Sequence, residues 1–572
     1  MDRRAAPGRR GSAPADGKPP HPLRGSSPSG GATISATSSF QPWWKGAILY
    51  HVYVRSFFDS NGDGHGDLPG VMAKLDYIKS LGVDGLWLSP IHPSPNRDWG
   101  YDTADYEGVQ ADYGTLEDFQ QLLDAAHGIG LKVVLDEVLS HTSDVHPWFV
   151  ESLTGGRDGP RANWYVWADP REDGTAPNNW LSVFGGPAWA YQPARRQHYH
   201  HKFLRQQPKL NWRDPDAREA ALSVLDYWLA KGVDGFRLDV AGTFLHDADL
   251  TPNPAVPMDE RRGYNWSHAG NLQRHLYDSN LPENDETLDE IRRRVDAFSD
   301  RFVFGEFSEE EERCGAYLPP ETGLHSAYTF VMLLARKLQS SFVTDHYATL
   351  AAHPDHWPTI SFSNHDVPRT VSRFGGKAAS PELARMLFAL LVALKGTTLI
   401  YQGEELGLPQ AALPRDLLRD PVGDLYWPYD GGRDGCRTPM PWTAGPQMGF
   451  TTGVPWLPLA AEHRGLSVEE QAADPESSLA FSRAMIAFRK GSDAMRLGEI
   501  SFIQTADPVL GFVREHAGER IVCLFNLSDG PRFVEHPTLE TASLLPVRAG
   551  DADIRGASIG LAPYAAVFLR LP

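Results

Sequence analysis

Cysteine is scarce: Cys314, Cys436 and Cys523 are the only three. An odd, widely spaced set supports neither a disulfide framework nor a Cys-based zinc ribbon. It fits a reducing compartment, so a cytoplasmic location is expected. Positive charge is also short. Lys and Arg number 54 against 73 Asp and Glu, a formal net charge of −19. Such a surface repels phosphate backbones, and no nucleic-acid partner is expected. No window approaches about 18 uninterrupted apolar residues, so no membrane-spanning helix and no membrane partner are expected. Residues 1–41 hold almost no large apolar side chains and are rich in Arg, Pro, Gly and Ser. They cannot bury enough surface to offset chain entropy, and a disordered N-terminal extension is expected. Its pairs Arg3-Arg4 and Arg9-Arg10 precede no apolar run, so neither a secretory nor a twin-arginine leader is expected.

What is present is a rhythm. Short β-rich runs end in polar residues, and helical patterns follow them. The runs are GAILYHVYVRSF (46–57), VDGLWLSP (83–90), LKVVLDEVLSH (131–141), VDGFRLDV (233–240), RFVFGEF (301–307), TISFSNHD (359–366) and TTLIYQGEE (397–405), with another near LHSAYTFVML (324–333). Strands alternating with helices predict a parallel sheet, and this number predicts an α/β fold of the (β/α)8 TIM-barrel type over 42–141 and 213–484. A doubly wound open sheet is the alternative, weakened by the lack of a Gly-rich phosphate loop after the first strand. Residues 142–212 are rich in Trp, Pro, Asn, Gly and Tyr and lack the rhythm, which predicts an inserted small domain after the third strand. From 485 to 572 the short alternating strands predict a C-terminal all-β sandwich.

In such a barrel, side chains at the C-terminal strand ends converge on one site. Those ends supply His141, Arg237, Asp239, Glu306, His365 and Asp366. Arg237 and Asp239 lie two apart and share a face, so the guanidinium is expected to keep the carboxylate ionised and lower its pKa. An ionised carboxylate is a nucleophile; a buried structural ion pair is the alternative. Glu306 is flanked by Phe304, Gly305 and Phe307, and desolvation there suits a proton donor. The alternative is a Glu that merely ends a strand before the acidic run 309–312. Asp366 adds a third acid beside His365. His141 and His365 suit hydrogen bonds to sugar hydroxyls, or to the protein itself. Two carboxylates of opposite protonation suit glycosidic cleavage through an oxocarbenium-like state, and retention needs them about 5–5.5 Å apart.

A separate motif, DSNGDGHGD (59–67), alternates oxygen ligands at Asp59, Asn61, Asp63 and Asp67, with the carbonyl of His65 between. It is similar to the start of a calcium loop, though the twelfth position is Gly70 rather than Glu. A structural divalent cation, Ca²⁺ or Mg²⁺, is expected, against a solvated Asp/Gly turn; no organic cofactor is expected.

The stretches DEVLSH, GFRLDV, FGEF and FSNHD, in this order, resemble the α-amylase superfamily of glycoside hydrolases. QPKLN (207–211), WGYDTADY (99–106) and GRDGCRTPMPW (432–442) resemble its oligo-1,6-glucosidase and α-glucosidase group, and the resemblance covers residues 42–572. It implies Asp239 as nucleophile, Glu306 as general acid/base and Asp366 as transition-state stabiliser. Arg237, His141 and His365 match helpers around the first sugar. Asp98 and Arg437 match a pair closing the pocket beyond the terminal glucose, which implies exo action. Tyr101 matches its stacking platform, and Phe184, Phe203 and Gln207 match pocket-lining positions of the inserted domain. Asp59, Asn61, Asp63, His65 and Asp67 match the group's divalent-ion loop. Ser140 stands where many α-amylases carry an Asn calcium ligand, so their interdomain calcium is not expected.

The resemblance leaves linkage open. Val240, after the implied nucleophile, is typical of α-1,6-active relatives, whereas SHTSDVHPWF and PNNWLS are closer to bacterial enzymes taking short α-1,4 substrates and transferring glucose to alcohols. The expected activity is a retaining exo-α-glucosidase on short α-glucosides, with transglucosylation. Alternatives are an oligo-1,6-glucosidase and a sucrose isomerase or transglucosidase on the same fold. A non-catalytic transporter subunit would have lost the catalytic acids, and a pure sugar-binding module would not need them. Oligomeric state stays open.

Overall fold

The computed structural model describes residues 41–259, 268–307 and 323–572. The extension expected over 1–41 (Gln41 apart), Cys314 and the acidic run lie outside the described residues. The apolar runs become β1 (Ile48–Val52), β2 (Gly85–Leu88), β3 (Lys132–Glu137), β4 (Trp167–Ala168), β5 (Trp189–Gln192), β6 (Gln197–His200), β7 (Gly235–Leu238), β8 (Phe302–Phe307), β9 (Ser326–Thr329), β10 (Thr359–Ile360) and β11 (Thr397–Tyr401). Eight of them form one parallel sheet, in the order β10-β11-β1-β2-β3-β7-β8-β9. The sheet curls round as a (β/α)8 barrel. At its seam Ser326 Oγ bonds Thr359 Oγ1 at 2.7 Å and donates to the Trp357 carbonyl at 2.6 Å.

Strand periodicity sorts the side chains. Ile48, Tyr50, Val52, Leu86, Leu88, Val133 and Leu135 join the large core under the helices. Their neighbours Leu49, Trp87, Val134, Phe302, Phe304 and Leu399 fill a second core of the opposite parity, inside the sheet. Arg237, Asp136 and Glu306 have that inward parity. The helices form by ordinary rules. Leu116–Gly128 opens on a Thr115–Asp118 capping box and buries Phe119, Leu122, Leu123 and Ala126.

Within 142–212 lie the helix Pro147–Gly155 and the antiparallel sheet β4-β6-β5. The chain leaves and re-enters the barrel beside itself, because His141 pairs with Lys209 in an antiparallel bridge. A second excursion follows β7, before the helix Asn284–Asp296, and it was not expected from the sequence. Lys202 pins it to the inserted segment by bonds to Asp278 at 2.9 Å and Ser279 at 2.7 Å.

The C-terminal strands are β12 (Glu499–Phe502), β13 (Val509–His516), β14 (Glu519–Asn526), β15 (Arg532–Glu535), β16 (Ser543–Ala549), β17 (Ala552–Arg555), β18 (Ser558–Leu561) and β19 (Ala566–Arg570). They form a five-stranded sheet, β12-β13-β14-β19-β16, and a three-stranded one, β15-β18-β17. Val513, Val522, Leu524, Ile559 and Leu569 pack between them. The other face of the larger sheet, with Phe512, Cys523, Phe525 and Phe568, joins the main core. No helix of the described residues is long and apolar enough to cross a membrane.

Candidate active site

The centre of the site is Arg237, a fully buried guanidinium on inward-facing β7. Its Nη1 bonds Asp136 at 2.7 Å and Asp239 at 2.8 Å, and its Nη2 lies 2.5 Å from Glu306 Oε1. Tyr328 on β9 accepts from the same guanidinium and donates to Glu306 Oε1 at 2.9 Å. Three carboxylates from β3, β8 and the end of β7 thus meet on one cation.

This crowding corrects one expectation from the sequence. Arg237 does hold Asp239, but burial dominates and pushes the Asp239 carboxyl well above the ordinary range. Arg237 opposes the rise, and Glu306, Asp136 and Asp366 reinforce it. Burial likewise lifts Asp136 to about 7, against the pull of Arg237. Asp136 and Asp239 thus share one compensating guanidinium in a buried site.

The backbone after Asp239 is strained. Val240 sits at φ +40°, a left-handed conformation hostile to a β-branched residue. In that conformation its amide lies 3.3 Å from Glu306 Oε2. The turn therefore links Asp239 and Glu306 through backbone as well as through Arg237.

Asp366 lies six residues beyond β10. Its Oδ1 accepts from Arg437 at 2.9 Å and Arg433 at 3.2 Å, and its Oδ2 lies 3.1 Å from His365 Nε2. Burial would raise this carboxyl, but Arg433, Arg437 and Arg237 outweigh it and hold it below the usual range. Asp98 was expected to pair with Arg437. It pairs instead with Arg433, at 2.6 Å, because Arg437 is drawn to Asp366 and to the His365 carbonyl at 2.7 Å.

The remaining residues close around this core. Tyr101 stacks flat on His365, with centroids 5.2 Å apart, and its hydroxyl donates to Asp136 at 3.0 Å. His141 lies beyond β3, which ends at Glu137, and is placed by its bridge to Lys209. Its Nε2 bonds the Tyr101 carbonyl at 2.8 Å, and burial lowers its pKa to about 4, so the ring is neutral. Gln207 donates to the same carbonyl and to Asp98 Oδ2, both at 3.1 Å. Phe203 packs on His141 and on Phe184, and Arg433 lies 5.2 Å over the Phe184 ring.

The structure thus brings Asp98, Tyr101, His141, Phe184, Phe203, Gln207, Arg237, Asp239, Glu306, His365, Asp366 and Arg437 into one connected network. Sequence reading missed Asp136, Tyr328, Arg433 and His51. Asp136 shares inward parity with Val134, and Arg433 stands inside the quoted GRDGCRTPMPW, so both carried a signal. His51, which stacks on Trp87 at 3.6 Å, shares inward parity with Leu49 and carried the same signal. Several buried polar atoms near the His365 ring lack a hydrogen-bond partner among the described residues: His51 Nδ1, Tyr53 Oη, Asn364 Nδ2, His365 Nδ1 and Arg437 Nη1. Unpaired buried polar groups are costly, and the rings of His51 and Tyr53 both pack against that of His365.

The loop 59–67 stands apart. Asp59 accepts the amides of Asn61, Gly62 and Gly64 at 3.0, 2.7 and 2.8 Å. Asn61 accepts Asp63 N, Asp63 accepts His65 N, and Asp67 caps the helix Leu68–Ala73. Among the described residues no group of three or more His, Cys, Asp or Glu side chains is gathered as a metal cluster. The loop's acidic and amide side chains offer oxygens, the kind a hard cation takes, and Asp59, Asn61 and Asp63 direct theirs at loop amides.

Residues 51–498 match the alpha-amylase catalytic domain. The chain belongs to the α-amylase family and is a glycoside hydrolase. It is 44% identical to a probable alpha-glucosidase of Rhizobium meliloti (strain 1021), over 94% of this chain and 99% of that protein. It is 35% identical to an oligo-1,6-glucosidase of Parageobacillus thermoglucosidasius, over 88% and 94%. Among solved structures, the alpha-glucosyl transfer enzyme XgtA is 46% identical with a TM-score of 0.91, covering 93% of this chain and 100% of that one.

Proposed function

We propose that the protein is a retaining, exo-acting α-glucosidase that releases glucose from short α-glucosides and also transfers it to acceptor hydroxyls. The observation that carries this reading is the attachment of Asp239 and Glu306 to the two arms of one guanidinium. It supports the close carboxylate spacing, about 5–5.5 Å, on which retention depends. Asp239 attacks the anomeric carbon while Glu306 protonates the leaving oxygen. Glu306 then takes a proton from water or an acceptor hydroxyl, which displaces Asp239. Asp366, held as an anion by two arginines, stabilises positive charge on the ring. Arg433 and Asp98 wall off the far end, which supports attack on terminal sugars only.

The test is the first anomer released. Proton NMR during hydrolysis of maltose is expected to show α-glucose before mutarotation; β-glucose first would rule out retention. Initial rates on maltose, isomaltose, sucrose and maltotriose should favour the disaccharides with α-1,4 linkage, and a preference for isomaltose would move the reading to an oligo-1,6-glucosidase.

The loop of Asp59, Asn61, Asp63, His65 and Asp67 is proposed to hold a structural Ca²⁺ or Mg²⁺, which would brace the backbone after β1. Chelation with EDTA is then expected to lower the unfolding midpoint, by the equivalent of about 2.7 kcal/mol where the cation stood at a hundred times its dissociation constant. Asp63→Ala should remove that sensitivity, whereas a midpoint indifferent to EDTA would argue for a self-bonded turn.

A further inference from the structure

Arg433 is gripped from behind as well as from the site. On the site side it meets Asp98 and Asp366. Behind it stands Asp420, fully buried, whose Oδ1 accepts from Nη2 at 2.7 Å and Nε at 3.1 Å, while Oδ2 accepts the Arg433 backbone amide at 2.5 Å. The chain is shaped for this approach. Gly432 has φ +70°, and a Cβ there would lie 2.5 Å from Asp420 Oδ2. Asp434 fixes the loop in turn by accepting the amides of Arg419 and Asp420, at 2.5 and 2.8 Å.

Three carboxylates therefore divide one guanidinium. Two of them face the sugar site and the third does not. Without the third, the guanidinium fork would close on Asp366 and Asp98 and occupy oxygens that sugar hydroxyls need. We propose that Asp420 is a positioning residue: by holding Arg433 back, it sets how much of Asp366 and Asp98 is left to bind the donor glucose. This deepens the glucosidase reading and rests on it.

Asp420 also caps the short helix Pro421–Tyr426 through Val422 N. Asp420→Asn removes the charge and can keep the Val422 cap through its oxygen, but its NH2 then meets the Arg433 amide and that bond is lost. For this variant KM on p-nitrophenyl α-D-glucoside is expected to rise about tenfold, the scale of losing one charge-assisted bond. Glucose binding by calorimetry should weaken in parallel, with kcat close to wild type and only a modest fall in the unfolding midpoint, from the lost bond to the Arg433 amide. The acid limb of kcat/KM should move to lower pH. The charged and titratable groups facing one another here are Asp98, Asp366, Asp420, Asp434, Arg433, Arg437, Arg237 and His365, and losing the Asp420 charge leaves the arginines to hold Asp98 and Asp366 as anions. Asp420→Glu should recover most of the lost affinity. Unchanged KM, glucose affinity and acid limb in Asp420→Asn would overturn the proposal. So would a general loss of activity with a lowered midpoint that Asp420→Glu does not repair. Weaker glucose binding in Asp420→Asn beside a wild type that hydrolyses no glucoside would sink the glucosidase reading and leave this one standing.

Discussion

Asp239→Asn is expected to lower kcat on p-nitrophenyl α-D-glucoside by about 10⁴-fold or more, the scale seen when a covalent nucleophile is lost. The amide fills the same space but is no nucleophile, so no glycosyl-enzyme can form. The fold should not suffer. Asp239 is one of three carboxylates on Arg237, and burial already raises its pKa. Removing its charge relieves the crowd, so the unfolding midpoint should hold or rise. Such a split, lower activity with equal or greater stability, marks a site whose charges are kept for chemistry rather than folding. Glu306→Gln should lose about 10²- to 10⁴-fold on maltose and much less on an aryl glucoside, whose leaving group needs no proton. Near-native turnover by Asp239→Asn, measured after active-site titration, would overturn the role assignment.

The second large effect concerns stability. Arg489 and Arg514 are fully buried and bond backbone carbonyls at the end of the helix Pro381–Ala393. Arg489 donates to Val392, Leu394 and Gly396 at 2.6, 2.8 and 2.5 Å, and Arg514 to Ala393 at 2.5 Å and Gly498 at 2.9 Å. The Val392, Ala393 and Leu394 carbonyls are at the negative end of that helix, where intrahelical donors have run out; Gly396 lies just beyond it and Gly498 follows the helix Asp493–Leu497. Arg489→Met leaves three of them buried and unmet, at about 1–3 kcal/mol each before relaxation. The expected loss is about 3 kcal/mol or more, read as a lower midpoint in urea, with KM unchanged. Arg514→Met should act likewise and less than additively, because the two guanidinium groups serve one helix end. A midpoint unmoved by Arg489→Met would show that water reaches those carbonyls.

The barrel was legible because its strands are short and apolar, and because many end in polar residues. The placement of Asp239 and Glu306 followed from their position at strand ends, and that of Asp239 beside Arg237 from parity along β7 as well. Pairing across long separations was not legible. Asp98 and Arg433 are far apart in the chain, and nothing local says that Arg433 rather than Arg437 meets Asp98. The excursion after β7 was missed because residues 241–283 carry neither periodicity nor a strong composition shift. The direction of the Asp239 pKa was misread for a physical reason. The sequence showed one adjacent cation but not how deeply the carboxyl is buried, nor the further carboxylates around that cation.

His141 and Lys209 join the two strands of a narrow neck. Everything between them leaves and returns through a single point, so its length adds little to the entropy of closing the barrel. Phe184, Phe203 and Gln207 ride on that detour, while Glu306 sits on β8 and Asp239 and Asp366 follow β7 and β10. The detour is nonetheless tied to the barrel, because Gln207 bonds Asp98 and the Tyr101 carbonyl, so a change of its length is tolerable only where those anchors keep their places.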